Sequence, residues 1–200
     1  MNAMRNECLN ALSNLSKTID AGRRFPRNVF LGPWSDFLFF DSDWLFDARF
    51  VEQVKSLLDI EGGTCACLAN LDQITDGDQD RHLLFIDGST TQNAYRLLLK
   101  GETSGSGWIH DMDRFACVSD VSQWCIYCER ASEIAVIGFQ TDISVERYML
   151  VVAQLKAARI AEAAWHDLFY GFSAQALSAQ WRSELLQEYA QAQSGNRSPA

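Results

Sequence analysis

Proline is scarce in this chain, three in 200 residues, and no proline-rich or low-complexity stretch interrupts it. An extended or disordered chain is therefore not the expectation. Long apolar runs are also missing. No window approaches the ~18 uninterrupted apolar residues that a membrane span needs. The first two dozen residues are polar throughout, without the apolar segment of a secretory leader, and Arg23-Arg24 is not followed by one either. Without export, thiols stay reduced, so a cytoplasmic protein is expected. The six cysteines (Cys8, Cys65, Cys67, Cys117, Cys125, Cys128) read as small core residues.

The familiar catalytic signatures are missing too. There is no Gly-x-Ser-x-Gly elbow and no His-Glu-x-x-His. Gly101, Gly105 and Gly107 do not spell a phosphate loop, since a helix rather than a strand is predicted before them. These absences weigh against an enzyme.

What the chain does hold is an uneven charge. The net charge is −9, and residues 36–87 contain twelve acids and three bases, so this segment carries the whole imbalance. Such a surface repels phosphate backbones and argues against nucleic-acid binding. It attracts basic partners and speeds their encounter.

The apolar periodicity predicts one globular domain over 1–193 and a disordered tail over 194–200. A first helix is expected over 4–19, with Leu9, Leu12, Leu15 and Ile19 as its inward stripe. Strands are expected at 37–40, 64–69, 82–86 and 115–118, and helices at 47–58, ended by Gly62-Gly63, and at 90–100, entered through a turn at Asp87-Gly88-Ser89, the latter with Ala94, Leu97 and Leu98 inward. Gln123 to Phe139 reads as a β-hairpin: an aromatic and β-branched strand, a polar turn, then a nearly unbroken apolar strand. A long helix capped by Ser144 is expected from 145 to about 169, and a last one from Ser173 through Trp181, Leu185 and Tyr189. The fold class that results is α+β, a mixed sheet of about five to six strands with packed helices and two C-terminal helices.

Several clusters invite chemistry. Cys125-x-x-Cys128 has zinc or redox spacing, but positions three apart in a strand face opposite ways. Asp76, Asp78 and Asp80 match the first ligand positions of a calcium loop, with Asp87 at the twelfth, yet Arg81 stands where that loop needs glycine. No metal and no cofactor are therefore expected. His110 and Asp111, with Asp87, could line a small-ligand or catalytic pocket at the strand ends. A third possibility is a structural subunit that oligomerises through its C-terminal helices.

Trp108-Ile-His-Asp-Met-Asp, then Gln123-Trp-Cys-Ile-Tyr-Cys-Glu, then Glu133-Ile-Ala-Val-Ile-Gly-Phe resembles a pattern of bacterial immunity proteins from polymorphic toxin and contact-dependent inhibition systems. The likeness covers about thirty residues. It implies a protein that binds and neutralises a cognate toxin domain and is not itself an enzyme. Asp72, Asp76, Asp78 and Asp80, with Asp41 and Asp43, are then the expected docking residues for a basic partner.

Overall fold

The computed structural model describes residues 2–72, 83–101, 113–160 and 177–194. Its centre is a seven-stranded sheet of order β3-β2-β4-β5-β6-β1-β7, antiparallel at every pairing. The strands are β1 Trp34–Asp41, β2 Cys65–Asn70, β3 Leu83–Asp87, β4 Arg114–Ser119, β5 Trp124–Glu129, β6 Ile134–Gln140 and β7 Ala158–Arg159. The described helices are α1 Asn2–Thr18, α2 Phe50–Glu61, α3 Gln92–Lys100, α4 Met149–Gln154 and α5 Ala179–Ser194. The class is α+β as expected, but the sheet is antiparallel rather than mixed, and larger. The reason is specific. The strand-turn-helix unit β3–α3 carries the chain back, so β3 and β4 run the same way. Antiparallel β2 lies between them, and no parallel pair forms.

Helices cover both faces. One layer buries Phe50, Val54, Leu57, Tyr95, Tyr148 and Val152 against Leu68, Phe115, Ile126 and Ile137. The other buries Ala11, Leu15, Leu185 and Tyr189 against Cys67, Val118, Tyr127 and Val136. A sheet packed on both sides needs apolar residues at every strand position, and this is why β6 reads as a continuous apolar run. Gly138 in β6 lets this packing close. A Cβ there would stand 2.8 Å from the Phe30 ring and 3.2 Å from Phe37.

The hairpin forms where expected, as β5 and β6 joined by a 3₁₀ turn at Arg130–Ser132. Cys125 and Cys128 face opposite layers, Cys125 in the one that holds Tyr127 and Cys128 in the one that holds Trp124. All six cysteines are free, and all but Cys8 are buried. Helix α2 buries Phe50, Val54, Leu57 and Leu58 and ends on Gly62, whose φ of 75° lets its N–H reach the Leu58 carbonyl.

Three helix expectations need correction. Along α1 and the residue after it, Leu15 and Ile19 are buried as expected and Ala11 joins them, but Leu9 is exposed. In α3 the inward pair is Tyr95 and Leu99, while Ala94, Leu97 and Leu98 are exposed. The helix is rotated by about one residue, roughly 100°, from the predicted face. Tyr95 sets that rotation, because its hydroxyl donates to the Leu45 carbonyl at 2.5 Å and its ring packs near Phe50. The third is the long helix from 145. It is a 3₁₀ turn over Val145–Tyr148 and then only the six residues of α4. Ser144 gives its hydroxyl to the Glu146 carboxylate at 2.5 Å instead of capping the backbone. Lys156 turns left-handed at φ 54°, and Ala158–Arg159 then pairs with β1 as an edge strand. Residues 161–176 and 195–200, with the remainder of that helix, the Ser173 start and the tail after Ser194, lie outside the described residues.

Candidate functional site

The register divides the sheet into two ends. One end holds Asn70, Arg114, Glu129, Ile134 and Asp41, each opposite the next or diagonal to it. The other holds Cys65, Asp87, Ser119, Trp124 and Gln140.

The described acids of 36–87 do not converge on one face. Asp36 pairs with Arg159 at 2.9 Å, Asp47 with Arg49 at 2.5 Å, and Glu52 with Lys55 at 3.8 Å. Asp72, an expected docking residue, is half-buried and already paired. Its carboxylate accepts from Arg114 Nε at 2.7 Å, from the Arg114 backbone N–H at 3.0 Å and from Arg24 at 3.3 Å. Arg114 is 8% exposed and also donates to the Ala21 carbonyl, while Arg24 reaches Asp113 at 2.8 Å. Glu129, equally buried, accepts from the Phe25 N–H and from the Tyr127 hydroxyl; burial pushes its carboxyl up from the ordinary range. Together these charges fasten the 20–25 loop to the strands.

Asp41 and Asp43 lie at the same sheet end and remain exposed. Asp41 caps the 3₁₀ turn Ser42–Phe46 by accepting from the Asp43 N–H at 2.8 Å. Partial burial pushes the Asp41 carboxyl up, and repulsion from Asp43 and Glu133 adds to the effect. Neither Asp41, Asp43 nor Glu133 has an ion-pair partner among the described residues. The same turn sets out half-buried Trp44 and Phe46, with the Arg49 guanidinium 5.1 Å from the Trp44 ring centre and Arg130 5.0 Å from Phe46. Asp76, Asp78 and Asp80 lie outside the described residues, but the flanking Asp72 and Leu83 stand at this end.

The alternative pocket residues do not assemble. Asp87 accepts from the backbone and hydroxyl groups of Ser89 and Thr90, and these bonds hold its carboxyl below its usual range despite partial burial. It builds the turn into α3. His110 and Asp111 lie outside the described residues. A groove of about 530 Å³ does exist elsewhere, lined by Leu12, Leu15, Ile19, Leu31 and Leu71 with Asp20 at its rim. No cluster of three or more His, Cys, Asp or Glu side chains suited to a metal occurs among the described residues.

One pair escaped sequence reasoning. Glu61, the last residue of α2, turns into the far end of the sheet, where its carboxylate accepts from the Gln123 N–H at 3.2 Å. Burial pushes its carboxyl up to about 7, and the nearby Asp120 adds to this. Asp120 itself accepts from the Thr64 N–H and hydroxyl. The only sequence signal was Gly62-Gly63, read as a helix stop. Gly63 also leaves the space these carboxylates occupy.

No family model matches the chain, and neither a curated protein nor a solved structure is significantly similar to it. No described helix is long and apolar enough to cross a membrane.

Proposed function

We propose that the protein acts by binding a basic protein partner, in the manner of an immunity protein that occludes a toxin domain. The observation that supports this is the sheet end around Ser42–Phe46. Exposed Asp41 and Asp43, with half-buried Glu133, stand there without an ion-pair partner among the described residues, beside two aromatic rings and two arginines. Carboxylates at the rim steer a cationic partner, and aromatic and arginine side chains are the types that anchor interfaces. Asp76, Asp78 and Asp80 extend this charge in sequence. Asp72 serves it indirectly, by holding the 20–25 loop.

The partner is first isolated from the native host with the tagged protein, and the association rate is then measured at low and moderate salt. Replacing Asp41 and Asp43 by lysine is expected to slow association at least tenfold at low salt and to flatten its salt dependence, leaving the dissociation rate nearly unchanged. Unaltered association kinetics would remove this end from the interface.

A further inference from the structure

The Glu61 carboxyl is buried against three other elements. Its Oε2 accepts the Gln123 N–H in the β4–β5 turn. Its Oε1 and the indole Nε1 of Trp124 are both buried, and neither makes a hydrogen bond of good geometry, although the indole and the Ser119 hydroxyl lie close enough to favour the charged carboxylate. Oε1 and Asp120 Oδ1 both lie within 3.0 Å of the point where a Gly63 Cβ would stand, so the two carboxylate oxygens are less than about 6 Å apart. Glu61 also sits at the C-terminus of α2, where unsatisfied carbonyls disfavour negative charge.

The surroundings carry little to offset that charge. From β4 and the turn after it come Cys117 and Asp120. From the Val145–Tyr148 turn comes Tyr148, whose hydroxyl donates to Gln123 Oε1 at 3.0 Å. The same turn supplies Arg147, but its guanidinium is directed to the Ile60 carbonyl at 2.7 Å. At the start of β2, Thr64 is occupied by Asp120, and the buried Cys65 thiol feels both Asp120 and Asp87. On the far side Asn14 of α1 holds the turn through the Ser119 and Asp120 carbonyls and brings no charge.

We propose that the Glu61–Asp120 pair is a proton-binding site that couples the packing of the β4–β5 turn to ambient pH. With Glu61 protonated, the end of α2, the turn and Tyr148 form one closed unit around Trp124. With Glu61 ionised, repulsion from Asp120 and from the last carbonyls of α2 loosens that unit. The carboxyl is placed to change state across neutral pH, because burial and Asp120 hold it up to about 7.

The test is an NMR titration of the full chain with carboxyl-labelled glutamate, following the Glu61 carboxyl carbon, the Trp124 indole N–H and the Gln123 amide. The expected result is a shared midpoint near neutrality for all three. In Glu61→Gln the Trp124 and Gln123 transitions disappear. In Asp120→Asn the Glu61 midpoint moves down toward the ordinary glutamate range. A Glu61 midpoint in that ordinary range in the unmodified protein would overturn the proposal. So would Trp124 and Gln123 transitions that persist unchanged in Glu61→Gln.

Discussion

The two ends of the sheet bury charge in opposite ways. At the Arg114 end the two buried charges each face a complement: Arg114 meets Asp72 and the Ala21 carbonyl, and Glu129 meets the Phe25 N–H and the Tyr127 hydroxyl. At the Trp124 end a buried carboxyl faces another carboxylate, and a buried indole N–H lacks a well-aligned acceptor. The first arrangement secures a loop to the strands. The second is sensitive to one proton. Desolvation is unfavourable at both ends, and the ends differ in what each charge finds after losing water.

The largest expected effect breaks the paired end. Arg114→Ala leaves Asp72 half-buried without its main partner and frees the 20–25 loop. It is expected to cost about 3–5 kcal/mol of unfolding free energy in urea titrations, by a similar amount at pH 6 and pH 8.

Glu61→Gln probes the other end and should act with the opposite sign. The folded carboxyl sits near 7 against an ordinary 4.5. The folded state therefore holds this proton more tightly than the unfolded one between those values, and stability falls as pH rises through that window. Above about pH 7.5 the amide should be more stable than the wild type by on the order of 2–3 kcal/mol, and near pH 4.5 the two should coincide. A residual slope of the same sign is expected in the variant, because burial raises Glu129 as well. Equal stabilities at pH 8 would erase the contrast between the ends.

A smaller effect is expected from Gly63→Ala. Its Cβ would press on Asp120 Oδ1 at 2.8 Å and on Glu61 Oε1 and Leu58 at 3.0 Å. The carboxylate ends can shift, so a loss of about 1 kcal/mol is expected by thermal or urea denaturation. The smallest effect on stability belongs to the docking residues. Asp41→Lys with Asp43→Lys should change unfolding free energy by about 1 kcal/mol or less, chiefly through loss of the Asp41 cap, while association slows.

Legibility in the sequence varied in an ordered way. The β5–β6 hairpin, the Gly62 stop and the turn at Asp87 were readable because each rests on neighbours within a few residues. The inward face of α3 was misread because apolar count favoured Leu97 and Leu98. A single tyrosine with a distant carbonyl to reach outweighed them. The helix after Ser144 was overextended because alanine-rich periodicity continues past Leu155. The chain instead turns at Lys156 to pair with β1, some 120 residues earlier. Asp72 was expected at a docking surface, and only Arg114, 42 residues away, revealed it as a clamp.

By itself the sequence determined the α+β class, the buried cysteines, the absence of a long apolar span and the acidity concentrated between residues 36 and 87. These follow from composition and short-range periodicity. The tertiary structure alone decided that every strand pair among the described residues is antiparallel, that most of the described acids of that segment are paired or capping, and that Glu61 meets Asp120 in a buried site. Each of these depends on residues tens of positions apart, and the field and desolvation at a side chain are set by what the fold brings against it.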